Sequence, residues 1–374
     1  MARIGIAGAG LLGRLLAWRL GRDGHQVRVF DPAPGPAPVC DGHGAAAASA
    51  AGMLSPLAEL GQADPAIAAL GWRSIALWRR VAAQLPLDGA AAAGGVFAHG
   101  CFASHGSLLL AHRGDAGAAA RVLARLARAP ADWPRPQPLD STALAALEPS
   151  LAGAAQAWLL PGEAQVLPPA ALQGLWAGAG AGVRWHWGMA IVEAGAGRLV
   201  DAAGETWRFD CVFDVRGLGA RADPAAAGAW PGQLRGVRGE TVWLQAPGHG
   251  LTRPVRLLHP RHGVYLVPRG ADELFVGASE IETEDRSPVS LRSAVELMAA
   301  AHSVMPALAE ARILRLDRNL RPALPDHLPR TEIQPGLVRI NGLFRHGWLL
   351  APALVADALA ATRLSTAPTE EVLA

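Results

Sequence analysis

Lysine is absent from this sequence, and all 34 of its basic residues are arginine. That excludes a pyridoxal phosphate Schiff base, an aldolase-type lysine and the lysine of a P-loop. Tyrosine occurs once, at Tyr265, so any phenol chemistry must come from that position. The three cysteines, Cys40, Cys101 and Cys211, are far apart and form no CxxC pair, which fits neither a disulfide framework nor a zinc site. A reducing compartment, and so a cytoplasmic protein, is the expectation. No apolar stretch has the length and purity of a membrane span. With a net charge of only +2 there is no broad basic surface for nucleic acid. His99, His105 and His112 fall close together, but no carboxylate or cysteine stands at ligand spacing beside them, so solvated histidines and no metal are expected.

What is present begins at the N-terminus. A short apolar run, Ile4 to Ala7, feeds Gly8-Ala9-Gly10-Leu11-Leu12-Gly13, and the apolar-periodic segment Leu15 to Leu20 follows at once. This order predicts strand, tight turn and helix. Gly8 takes the turn, Gly10 admits a phosphate to the backbone, and Gly13 lets the helix pack on the strand, with a pyrophosphate on the helix's positive end. Gln26 to Phe30 reads as the second strand and ends in Asp31, whose carboxylate suits the ribose hydroxyls of a dinucleotide. A signal peptide is the competing reading of this segment, and Arg14, Arg19 and Arg22 interrupt the apolar run it would need.

At 374 residues the chain has room for two domains or one long one. After a proline-rich loop, residues 42–56 are almost all small, as suits a segment lying against something flat and bulky. Helices are predicted over 72–85, 116–128, 168–179, 288–304 and 348–364, with a shorter one capped by Ser141. Strand-like runs include Val96-Phe97, Leu108 to Leu110, Val183 to Trp187 and Cys211 to Val215, the last followed by Arg216-Gly217-Leu218-Gly219-Ala220. From Gly239 the apolar period becomes two, with glycine and proline turns, which predicts an antiparallel sheet in a second domain. Near the end a strand, Leu337 to Asn341, a glycine turn and a helix repeat the opening arrangement, so the chain is expected to return to its first domain.

In this order the motifs resemble the FAD-dependent amino-acid oxidase family that contains D-amino-acid oxidase, sarcosine oxidase and glycine oxidase. They are most similar to the glycine oxidase of thiamine biosynthesis. The resemblance covers nearly the whole chain: Gly8 to Gly13, Ala47 to Leu54, Val237-Arg238-Gly239-Glu240, Tyr265 to Arg269, Asn319-Leu320-Arg321-Pro322 with Pro325-Asp326, and Gly342 to Pro352. Four places depart from the family pattern, one of them the residues before Arg321, which are not the usual ones. Asp31 stands where glutamate is more usual, Arg216 to Ala220 replaces an Ala-Gly-Ala-Trp-Ser turn, and Leu343 replaces a histidine.

The resemblance implies an α/β fold: a Rossmann-type FAD-binding domain (1–90, 140–220 and 320–374) and a second α+β domain built on an antiparallel sheet (91–139 and 221–319). It implies that FAD is held by Gly8, Gly10, Leu11, Leu12 and Gly13, by Asp31, by Ser49, Ala50, Gly52 and Met53, by Gly217, and by Arg345, His346, Gly347, Trp348 and Leu349. Arg321, in a proline-bounded loop over the flavin, is the expected carboxylate clamp, because a guanidinium fork meets a carboxylate with two parallel hydrogen bonds. Tyr265 is expected to add a phenol hydrogen bond, and Arg345 to touch the substrate or the flavin edge. The implied reaction is oxidative deamination of glycine, sarcosine or a small D-amino acid to the imine and then the 2-oxo acid, with dioxygen as acceptor. An amino-acid dehydrogenase of the same fold that reduces a quinone, a non-catalytic flavin-binding subunit, and a nicotinamide dehydrogenase stay open, as does homo-oligomer formation.

Overall fold

Continuous apolar runs set the first layer. Ile4, Ile6 and Ala7 of the strand Arg3–Ala7, and Val212 and Phe213 of Cys211–Asp214, are fully buried. That pattern belongs to a parallel sheet covered on both faces. The computed structural model describes residues 1–39, 42–61, 64–87, 95–222, 234–258 and 263–364. Its six-stranded sheet runs, edge to edge, Arg330–Gln334, Leu337–Asn341, Cys211–Asp214, Arg3–Ala7, Gln26–Asp31 and Val183–Trp187. All neighbours are parallel except Arg330–Gln334, which forms an antiparallel hairpin with Leu337–Asn341. The chain does return to its first sheet at the end, as the repeated strand-glycine-helix order predicts.

The helices Leu11–Arg22, Pro65–Gln84, Pro168–Ala177 and Gly347–Thr362 share one core with this sheet. Gly347–Thr362 is apolar on nearly every side, the signature of a helix buried all round. Pro352 lies inside it and has no N–H to give to the carbonyl of Trp348. That carbonyl instead accepts the indole N–H of Trp78 at 2.8 Å, and the N–H of Ala353 donates to Ser74 Oγ at 3.3 Å. The proline therefore ties this helix to Pro65–Gln84 through a carbonyl that would otherwise be orphaned.

The second layer is an eight-stranded sheet in the order Arg312–Ala323, Arg235–Gln245, Glu273–Gly277, Val264–Pro268, Val255–Leu257, Ser107–Ala111, Gln156–Leu160 and Gln137–Leu139. Pairing is antiparallel throughout except where Val255–Leu257 runs parallel to Ser107–Ala111. The helix Leu291–Val304 covers one face, with Leu297, Ala301 and Val304 in the core. The architecture is thus the expected α/β fold with an antiparallel sheet. The expected boundary at 139/140 falls between two strands of this sheet, Gln137–Leu139 and Gln156–Leu160, and the boundary at 319/320 falls inside the strand Arg312–Ala323.

Local readings shift in three places. Val96-Phe97 lies in a single turn of 3₁₀ helix, Gly95–Phe97, not a strand. The helix Ser141–Leu147 is capped by Asp140, whose carboxylate accepts the Ala143 N–H at 2.8 Å. Arg321 lies on a strand and not in a loop: the prolines around it are tolerated because Arg312–Ala323 is an edge strand, paired on one side only.

Candidate active site

A cavity of about 1160 Å³ opens where the C-terminal ends of the parallel strands face the antiparallel sheet. In open α/β sheets this crevice is where ligands sit. Its two ends are built differently.

At the first end the backbone does the work. Gly8 has φ +104, and a Cβ there would meet the carbonyl of Val215 at 2.7 Å. A Cβ on Gly13 would meet the Gly8 carbonyl at 1.8 Å, so helix and turn touch there as no side chain would allow. Around Gly10, by contrast, the nearest group is the Ala45 methyl at 3.7 Å, which leaves the backbone open to a ligand. The helix Leu11–Arg22 starts with no side-chain cap and no acidic residue in its first turn. Its unpaired N–H groups and positive end therefore suit an anion, which is the fit a pyrophosphate requires. Asp31 accepts the Ala9 N–H at 2.6 Å and the Ala33 N–H at 2.8 Å, one on each oxygen, so it locks the turn while its other lone pairs stay free. Beneath lies Arg14, whose pKa burial lowers to about 10 against the opposing pull of Asp31, and which donates to the carbonyls of Ala9, Leu172 and Pro36.

The small-residue segment forms the floor. Its shape is held by donors from distant elements: Trp348 Nε1 to the Ala47 carbonyl at 3.0 Å, Asn319 Nδ2 to Ser49 Oγ at 3.1 Å, and Arg269 Nη2 to the Ala51 carbonyl. Arg269 is buried, stacked 5.0 Å over Phe275, and burial lowers its pKa to about 9. Gly52, at φ +67, lies so close to the Val166 carbonyl that a Cβ would approach within 2.2 Å.

Charged side chains from four segments make the other end. Arg321 reaches sideways over Gly239, where a Cβ would lie 2.3 Å from its guanidinium, and donates to the Ser279 carbonyl at 3.1 and 3.2 Å. No carboxylate pairs with it among the described residues. The Tyr265 ring leans over Gly277 in the same way, with a Cβ there 2.8 to 2.9 Å from the ring. Two glycines thus clear a trough on the sheet face for the guanidinium and the phenol. Burial raises the Tyr265 pKa and keeps the phenol a donor, although Arg321, Arg256, Arg269 and Arg345 all act against that shift.

Glu59, at the end of the short helix Pro56–Glu59, organises the rest. It is buried and pairs with Arg345 at 2.9 Å and Arg256 at 3.2 Å, with His346 Nδ1 at 3.6 Å. Burial pushes its carboxyl up, but Arg345, Arg256 and His346 outweigh that and hold it at about 2. His346 is driven down to about 4 by burial, with Glu59 opposing, so it is neutral at neutral pH. Phe344, in left-handed backbone at φ 50 and stacked 4.4 Å from His327, turns the chain so that Arg345 and His346 reach the cavity. The helix Gly347–Thr362 then begins without a side-chain cap, presenting a second positive end.

Of the residues expected to form the site, Gly8, Gly10, Leu11, Leu12, Asp31, Ser49, Ala50, Gly52, Met53, Gly217, Tyr265, Arg321, Arg345, His346, Gly347, Trp348 and Leu349 all line this cavity. Gly13 does not line it, and shapes it from behind through its contact with Gly8. The sequence reading missed Glu59 and Arg256. Glu59 is a lone carboxylate directly after the small-residue segment, and Arg256 is the cross-strand partner of Tyr265, a neighbour that only sheet register reveals. Among the described residues no group of histidine, cysteine, aspartate and glutamate is placed to hold a metal, and no helix is long and apolar enough to cross a membrane.

Known proteins similar to this chain share its family and fold. A family model described as FAD dependent oxidoreductase matches residues 3–362. A Rhizobium etli protein described as a thiamine biosynthesis oxidoreductase, ThiO, is 36% identical over 95% of this chain and 94% of its own length. A glycine oxidase of Geobacillus kaustophilus is 27% identical over 95% of this chain and 92% of its own. The crystal structure of glycine oxidase from that organism superimposes with a TM-score of 0.77 at 25% identity, covering 98% of this chain and 96% of that one.

Proposed function

The chain belongs to the FAD dependent oxidoreductase family, its cofactor is FAD, and on that premise we propose that it oxidises a small amino acid or N-substituted glycine to the imine. The imine then hydrolyses to the 2-oxo acid with release of ammonia or the amine, while dioxygen accepts the two electrons of the oxidation and leaves as hydrogen peroxide. The single observation that carries this is Arg321: a guanidinium facing the cavity, backed by a glycine, braced on carbonyls alone, with a protonated phenol beside it. An acid group is the complement of that pair. Bound FAD supplies the two-electron acceptor for the hydride on the carbon that bears the amine. The residues then have one task, which is placement. Gly8, Gly10, Leu11, Leu12 and Asp31 hold the dinucleotide; Ser49 to Met53, Gly217 and the start of Gly347–Thr362 hold the ring. Arg321 and Tyr265 grip the substrate's carboxylate. His346, lowered to about 4, is too weak a base to take a proton from an ammonium group, so the amine reacts in its neutral form.

The test is optical. Purified protein loaded with FAD is mixed without oxygen with glycine, sarcosine and small D-amino acids, and the flavin band is followed. Bleaching by at least one of them is expected, with peroxide formed once air is admitted. A flavin-loaded protein that no amine bleaches is a binding subunit; one that bleaches but makes no peroxide is a dehydrogenase.

A further inference from the structure

The substrate end carries more positive charge than one carboxylate needs. Arg256, Arg321 and Arg345 all face the cavity, and all act on the Tyr265 phenol. Against them stands one buried carboxylate, Glu59, shared by two of the three, and a half-exposed Glu280 at 3.7 Å from Arg345. His346 adds no charge. Glu163 also feels the charge of Arg256; burial raises its carboxyl pKa with Arg256 opposing, and it already accepts the Ser107 hydroxyl and the Ala58 N–H.

Arg256 is not used up by its ion pair. Only Nη2 is engaged, with Glu59, and Nη1 makes no hydrogen bond among the described residues. Register sets its place: Arg256 pairs with Tyr265, and Tyr265 pairs with Gly277, so the three stand side by side on one face. Arg321 leans in from the far edge toward the same glycine trough. Two strand spacings, about 10 Å, separate Gly277 from Arg256. Gly263, which has no side chain, lines the same cavity as Arg256.

Building on the amine oxidation proposed above, we infer that Arg256 is a second acid-group anchor, and that the favoured substrate is an amine bearing two carboxylates, one on Arg321 and Tyr265, the other on Arg256. The carbon to be oxidised lies between them, so both anchors fix its approach to the flavin.

The experiment compares N-methylglycine (sarcosine) with N-(carboxymethyl)glycine (iminodiacetate), which differ only by the second acid group, as anaerobic reductants of the FAD-loaded enzyme. We expect iminodiacetate to have the higher ratio of reduction rate to dissociation constant, and R256Q to lower its advantage over sarcosine by about tenfold or more. R256K, which keeps the charge and loses the fork, restores part of it. If R256Q fails to bind flavin, wild-type inhibition replaces it: diglycolate, which has two acid groups and no amine, should compete at least about tenfold better than methoxyacetate. Equal behaviour of the one-acid and two-acid compounds, while sarcosine still bleaches the flavin, overturns the second anchor and leaves the amine oxidation standing. Failure of glycine, sarcosine, small D-amino acids and iminodiacetate alike to bleach a loaded flavin overturns both.

Discussion

The two ends of the cavity solve the recognition problem by opposite means. At the nucleotide end, contacts come from backbone N–H groups, glycines and one carboxylate, all within the first 33 residues apart from what packs behind them. The proposed substrate end is lined by Glu59, Arg256, Tyr265, Arg321 and Arg345, residues contributed by five separate stretches of chain. A phosphate is recognised by geometry that any glycine turn before a helix supplies. An amino acid needs charges at fixed separations, and those separations exist only once the sheets are assembled. The first end is therefore rigid, set by backbone contacts that admit no added atom, while the second is set by side chains that lean over Gly239 and Gly277.

The sharpest way to break that contrast is to add one methyl group at the rigid end. Gly13→Ala places a Cβ 1.8 Å from the Gly8 carbonyl, a backbone atom with nowhere to go. We expect destabilisation of about 3 kcal/mol or more and loss of bound flavin, read by thermal unfolding and by absorbance of the purified protein. Normal flavin content in this variant would mean that the turn is more plastic than the contact implies.

Next in size is Arg321→Ala, which removes the proposed carboxylate clamp and should cost about 2 to 4 kcal/mol of substrate binding. Steady-state kinetics should show a large rise in KM with FAD still bound, which separates the two ends functionally. Unchanged kinetics with glycine or D-alanine would remove Arg321 from the site. Glu59→Gln should be milder. It keeps the shape and leaves Arg345 and Arg256 without their shared anion, so kcat/KM should drop by an amount worth about 1 to 3 kcal/mol while flavin content stays normal.

The last effect concerns pH. His346 titrates at about 4 in the folded chain against an ordinary 6.5, so between those values the unfolded chain takes up a proton that the folded one refuses. Stability should therefore fall as pH drops from 6.5 toward 4. Glu59, at about 2 against 4.5, adds a second loss as pH falls from 4.5 toward 2, because the folded carboxylate stays ionised while the unfolded one protonates. Denaturant melts of His346→Asn should show a flatter slope in the upper window only. A slope unchanged from the parent would place the titration elsewhere.

The same contrast explains what could be read in advance. The turn Gly8 to Gly13, Asp31, the parallel strands and the final strand-glycine-helix unit were legible because each is a local pattern whose period or composition reports its own conformation. Arg321 and Tyr265 were reached only through a family resemblance, and the loop expected around Arg321 is an edge strand. Glu59 and Arg256 were not found at all. Nothing near Glu59 in the sequence distinguishes a buried carboxylate at about 2 from a solvated one, since its partners lie 197 and 286 residues away.

By itself, then, the sequence determined the nucleotide fold, the absence of lysine chemistry and the single available phenol, because these depend on neighbours along the chain. Only the tertiary structure decided how the arginines of the cavity, among the 34, are arranged around it. That arrangement rests on sheet register and on Gly239 and Gly277, which let Arg321 and Tyr265 lean into one trough, and on burial, which sets the charge of Glu59 and His346. Charge separation and desolvation are properties of the assembled space between segments, and no stretch of chain carries them alone.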